Sequence, residues 1–125
     1  MKLVDLELNS MITELKPNQI FVFGSNLGGK HGGGAARQAL ESFGAYYSKG
    51  VGRQRQSYAI PTLDSNLERL PLEIISLYLW DFDDYAQTHP ELEFLLTKIG
   101  TGIAGFTPQE MESIMPNFPS NVIIV

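Results

Sequence analysis

Residues 24–36, Gly24-Ser25-Asn26-Leu27-Gly28-Gly29-Lys30-His31-Gly32-Gly33-Gly34-Ala35-Ala36, place six glycines in eleven positions and then begin a helix. Glycine has no Cβ, so such a loop admits positive φ and lets its backbone approach a ligand closely. Free amides at the start of the following helix, with the helix dipole behind them, suit an anion. Gly24, Ser25, Asn26, Gly32, Gly33, Gly34 and Ala35 are therefore candidate ligand-binding residues for a phosphate-bearing molecule. The loop is not a P-loop, because Gly29-Lys30 is followed by His31 rather than Ser or Thr. It is also too long for a dinucleotide fingerprint, and Gln54-Arg55 stand where an acid for a ribose is needed.

A second loop, Gly100-Thr101-Gly102-Ile103-Ala104-Gly105-Phe106, leads into Thr107-Pro108-Gln109-Glu110. Its amides would clamp a diphosphate from the side opposite the first loop, and Phe106 is placed either to stack on a sugar or base or to fill the core. Between the loops, Arg53 or Arg55 is available to pair with a phosphate, or the segment is simply a solvated basic loop. His31 is the one loop residue suited to general acid or base chemistry near neutral pH. His89, before Pro90, reads as a helix cap. Two distant histidines without clustered partners leave no metal site to expect.

The elements that must carry these loops follow from periodicity. Residues 1–8 read as a short strand. Pro17-Asn18 marks a turn before the buried strand Ile20–Phe23, which stops at Gly24. Residues 35–43 have helical apolar spacing and end at Gly44. Residues 46–55 read as a polar, basic loop, and 58–60 as a strand leaving at Pro61. A helix from about Pro71 to His89 buries Leu72, Ile75, Leu79, Phe82 and Ala86, with Asp81, Asp83 and Asp84 on its wet side and Tyr78, Trp80 and Tyr85 used in packing. Residues 92–99 read as a strand, Thr107 to about Met115 as a helix opened by a capping box, and 121–125 as a last strand. This alternation predicts one three-layer α/β/α domain over residues 1–125, with a mostly parallel mixed sheet. Both glycine loops follow strand C-termini, so right-handed crossovers would open them at one edge.

Composition agrees with a globular chain: 125 residues, 43% hydrophobic, 18% charged, without cysteine. Disulfides and thiolate metal sites are excluded, and a cytoplasmic setting is expected. No apolar run is long enough to cross a bilayer, and the N-terminus lacks a signal-peptide core. The net charge of −5 is unevenly spread. Lys30, Arg37, Lys49, Arg53 and Arg55 face only Glu41 within 30–55, a local +4, leaving −9 elsewhere. That pattern suits a local anion site rather than a broad nucleic-acid surface.

Phe23-Gly24-Ser25-Asn26-Leu27 followed by His31-Gly32-Gly33-Gly34-Ala35-Ala36, together with Gly100–Phe106, resembles the two ligand loops of the macro-domain superfamily. Gln56-Ser57-Tyr58-Ala59-Ile60-Pro61 looks like a short bacterial and phage branch with the same loops. The resemblance covers about residues 20–125. It implies a macro-domain-like topology and binding of ADP-ribose or a related nucleotide, with no separate cofactor and with nucleic acid a partner only where ADP-ribosylated. It places Asn26 near the family's ribose-contacting asparagine and implies, for an enzyme, cleavage of an ADP-ribosyl bond with Asn26 orienting ribose or water. The family's adenine-reading aspartate has no clear match; Asp5 is the nearest acid. Ser25 stands for an alanine and Ala104 for a tyrosine. Three readings remain: an ADP-ribosyl hydrolase, a non-catalytic nucleotide sensor or sponge, and an interaction domain that kept the fold and lost the site.

Overall fold

The computed structural model describes residues 12–125, so the strand expected over 1–8 and Asp5 lie outside the described residues. Within them the elements are β1 (Gln19–Asn26), α1 (Gly34–Ser42), β2 (Gly52–Gln54), β3 (Ser57–Leu63), α2 (Leu72–Thr88), β4 (Glu93–Leu96), α3 (Pro108–Glu112) and β5 (Val122–Ile124). The five strands form one mixed sheet in the order β2-β3-β1-β4-β5. β1 runs parallel to both β3 and β4, β4 runs parallel to β5, and only β2 is antiparallel to its neighbour.

β1 is the centre of the sheet because both of its faces are apolar. Ile20 and Val22 enter a cluster with Ile75, Leu79, Phe82 and Ala86 of α2 and Met111 of α3. Phe21 and Phe23 enter a second cluster with Ala39 of α1, Phe43 and Ala45. Alternate side chains of a strand point to opposite faces, so α1 covers one face and α2 and α3 the other. The expected mixed α/β architecture and mostly parallel sheet are present.

Several boundaries differ from the sequence expectation. β1 continues past Gly24 to Asn26, because β3 pairs alongside it, and the register shifts between Ser25 and Asn26. β3 runs through Pro61; β2 begins at Gly52 opposite Ala59, so the proline lies beyond the outermost β2–β3 rung and its missing donor costs no pairing there. The basic segment contributes the short strand β2 instead of remaining wholly a loop. β4 stops at Leu96, where Thr97 donates to the Val22 carbonyl through both N (3.1 Å) and Oγ1 (2.8 Å) and the chain turns away. The capping box is present, with Thr107 Oγ1 accepting from Glu110 N and Glu110 Oε1 accepting from Thr107 N, but its helix ends at Glu112.

α2 keeps its expected buried stripe with two corrections. Asp83 is buried rather than wet, its Oδ2 accepting from Gln87 Nε2 at 2.8 Å. Position 83 lies one turn from Leu79, so helical geometry carries it to the edge of the buried face. Trp80 is exposed rather than packed, because the buried residues 75, 79, 82 and 86 leave position 80 outside their arc. Tyr85 does pack, stacking on His89 with ring centroids 3.9 Å apart. His89 ends the helix as expected, with Nδ1 2.8 Å from the Tyr85 carbonyl oxygen.

Candidate functional site

The C-terminal ends of β1 and β4 open into a cleft of about 930 Å³ between the two glycine loops. A volume of this kind is in the range of sites that hold small molecules. From the first loop come Gly24, Ser25, Asn26, Lys30, Gly32, Gly33, Gly34, Ala35 and Ala36; from the second come Gly100, Thr101, Gly102, Ile103 and Ala104. The two segments, more than sixty positions apart in sequence, meet here because β1 and β4 are adjacent and parallel.

The first loop is held by its own side chains. Asn26 Nδ2 donates to the Lys30 carbonyl (2.9 Å), and Asn26 Oδ1 accepts from Lys30 N (3.0 Å), closing a turn over residues 26–30. Gly29 has φ +67°, and a Cβ there would lie 2.2 Å from Lys49 N. Glycine is needed at that point because residues 48–50 run directly against the loop, with Ser48 N donating to the Gly29 carbonyl at 2.9 Å. Beyond this anchor Gly32, Gly33 and Gly34 face open space. α1 starts without a side-chain cap, and its first internal bond joins Arg37 N to the Gly33 carbonyl. The amides of the turn before Arg37 therefore have no partner within the helix.

The second loop is tied from below. Gly100 takes φ +81°, and a Cβ there would collide with Met111 Sδ at 2.5 Å. Phe106 N donates to the Gly100 carbonyl and Gly105 N to the Gly102 carbonyl, whereas the amides of Thr101 to Ala104 donate to no backbone carbonyl among the described residues. Arg69 clasps the outside: its Nη1 is 3.3 Å from both the Ala104 and Gly105 carbonyl oxygens, and its guanidinium lies 4.3 Å from the centre of the Phe106 ring.

Five candidates from the sequence lie away from the cleft lining, among them Arg55, whose guanidinium lies 4.9 Å from the centre of the Tyr46 ring. His31 is 1% exposed; its Nε2 bonds the Lys49 carbonyl oxygen at 3.1 Å and its ring stands edge-on to Phe23, so it fastens the loop to the interior and is not among the residues lining the cleft. Phe106 is buried in the larger core cluster under Arg69, which settles its role as packing and removes it as a stacking platform. Gly105 is exposed but does not line the cleft. Arg53 lies on β2, where its Nη1 donates to the Tyr85 hydroxyl at 2.9 Å.

Sequence reasoning did not single out the wall formed by Thr62, Leu63 and Leu67, nor Gln38, Thr97 and Lys98. Thr62 to Leu67 arrive because β3 is the neighbour of β1, a pairing that chain order does not reveal. Lys98 immediately precedes Ile99 and Gly100, and its charge next to a glycine loop was a usable signal. Lys30 and Lys98 are the ionisable side chains among the lining residues. Lys30 Nζ lies 3.4 Å from the Ser65 carbonyl oxygen. Among the described residues, no helix is long and apolar enough to cross a membrane. Compared with protein-family models, curated proteins and solved structures, the chain matches none.

Proposed function

We propose that this chain is a macro-type binding domain that holds a phosphorylated ribose, ADP-ribose or a related nucleotide, between its two glycine loops, and that it works in the cytoplasm. The observation that carries this reading is the placement of two amide-rich loops across one cleft, with Lys30 and Lys98 in its lining. Backbone amides and ammonium groups together suit phosphate oxygens. The exposed aliphatic side chains of Leu67 and Ile103 give the remainder of a nucleotide an apolar wall.

Within this reading binding is favoured over hydrolysis. The lining residues include no histidine and no carboxylate among the described residues. His31 is turned inward and Asn26 is bonded to the Lys30 backbone. General acid or base catalysis needs a titratable group within hydrogen-bond reach of the reacting atom, and among the described residues the cleft lining supplies lysines alone. A sensor or sponge needs none.

The test is a thermal-shift screen with ADP-ribose, NAD, cyclic nucleotides and mononucleotides. A ligand at one hundred times its Kd adds about 2.7 kcal/mol to the native state, a rise in Tm on the order of 10 °C for a domain of this size. A Tm unchanged by every one of these compounds at millimolar concentration would overturn the proposal.

A further inference from the structure

Two surfaces outside the cleft combine exposed apolar side chains with charge of a single sign. The first is the segment that leads into and out of β2. Gln54, buried, folds it: its Oε1 accepts from Tyr46 N at 2.8 Å and its Nε2 donates to the Lys49 carbonyl at 2.9 Å. Tyr46, Tyr47 and Val51 are left exposed, Tyr47 by 61%. Lys49 Nζ and the Arg55 guanidinium stand 6.0 and 4.9 Å from the centre of the Tyr46 ring, and Arg53 continues the charge along β2. The second surface is the outer face of α2. Glu73, Leu77, Trp80, Asp81 and Asp84 recur there at helical spacing, opposite the buried stripe. Leu77 (62%) and Trp80 (53%) are more than half exposed. Among the described residues, none of Lys49, Arg53, Arg55, Glu73, Asp81 and Asp84 belongs to an ion pair. The two surfaces meet at one seam, where Arg53 Nη1 donates to the hydroxyl of Tyr85, one turn beyond Asp81 on α2.

Clustered exposed apolar side chains mark interaction surfaces, and these two surfaces suit each other: both are apolar, one is basic and the other acidic. They lie side by side, so a two-fold axis can bring each onto its opposite in a second molecule, as in the self-complementary interface of a homodimer. We propose that the occupant of this side of the molecule is a second copy of the chain, with residues 46–55 of each protomer lying on the acidic outer face of its partner's α2. Apolar contact supplies the affinity, and the opposed charges fix the orientation and speed the encounter. None of these residues lines the cleft, so the dimer does not depend on what the cleft binds.

Sedimentation velocity of the full chain over a concentration series reads the assembly, and Trp80, the one tryptophan of the sequence, reads the interface. The expected result is a monomer that becomes a dimer, with Trp80 emission moving to shorter wavelength along the same isotherm as its indole leaves water. These wild-type isotherms test the proposal without any variant. Lys49→Glu with Arg55→Glu makes both surfaces acidic, and Asp81→Lys with Asp84→Lys makes both basic. Each double variant, shown to be folded by circular dichroism, should dimerise at least about tenfold more weakly than wild type, and mixing the two should recover a heterodimer within about tenfold of wild type, because each surface again meets its opposite. A wild-type chain that stays monomeric at millimolar concentration, or a dimer that leaves Trp80 emission unmoved, overturns the proposal. So do folded variants that associate as tightly as wild type, a mixture that does not associate, and growth beyond the dimer, which marks a head-to-tail contact.

Discussion

Gly50 lies directly against Asn26: a Cβ on Gly50 would sit 1.9 Å from the Asn26 carbonyl oxygen. The obstacle is backbone, so neither side can yield by changing a rotamer. Gly50→Ala is therefore expected to destabilise the fold by about 1–3 kcal/mol, the usual range for forced overpacking, and to loosen the 26–30 turn that begins at Asn26. Gly102→Ala is the control, since a Cβ there meets nothing within 4 Å. Urea denaturation should show a lower midpoint for the first variant and little change for the second; equal midpoints would refute the close approach.

Charge at the mouth of the cleft can be altered without disturbing the core. Ala104 lines the cleft but also joins the core cluster, so substitution there mixes binding with stability. Gly33 and Gly102 line it with open space around them. Like charges 4 Å apart repel by about 1 kcal/mol in water and about 4 kcal/mol at an effective dielectric of 20. Gly102→Glu should thus lower affinity for ADP-ribose at least about tenfold with the denaturation midpoint unchanged, and Gly102→Lys should not. Equal losses in both variants would point to bulk rather than charge.

Tyr58 gives the fold a measurable alkaline limit. Burial, then the nearby carboxylate of Asp81, then Tyr85 push its phenol from 10.0 up to about 12. The folded state holds the proton over a range in which the unfolded chain releases it. The contribution is therefore full below pH 10 and is lost as pH rises toward 12, by on the order of 2 kcal/mol. Tyr58→Phe cannot ionise, so the part of the stability slope between pH 10 and 12 that Tyr58 causes should disappear. A slope unchanged in the variant would assign it to other groups.

The parts of the molecule that were legible in the sequence are those governed by local rules. Ile20–Phe23 announced a strand buried on both faces, Thr107-Pro108-Gln109-Glu110 announced its cap, and the glycines of both loops announced where the backbone is exposed. What stayed hidden depends on pairing. β2 is three residues long and polar, and exists because β3 offers it an edge. The inward turn of His31 depends on the Lys49 carbonyl eighteen positions away. Phe106 could be read either way until Arg69 and the core were seen to enclose it. Asp83 falls at the boundary of a helical stripe, where periodicity alone does not decide.

Asn26 separates the binding reading from the hydrolytic one. Its side chain makes two hydrogen bonds to the Lys30 backbone, so Asn26→Ala removes the closure of the 26–30 turn. Each lost bond of this kind costs about 0.5–1.5 kcal/mol, more where a buried partner is left unpaired. Stability should fall by about 1–3 kcal/mol, and affinity for ADP-ribose should fall with it because Gly32 to Gly34 hang from that turn. If Asn26 also positions ribose or water in a reaction, turnover must drop further than affinity, since only contacts made in the transition state lower kcat separately from binding. The measurements are calorimetric affinity and release of ADP-ribose from an ADP-ribosylated protein, for wild type and variant. The expected outcome is binding by the wild type, weaker binding by the variant, and no release by either. Release by the wild type that is abolished in Asn26→Ala beyond its loss of affinity would overturn the binding-only reading and make Asn26 a catalytic residue.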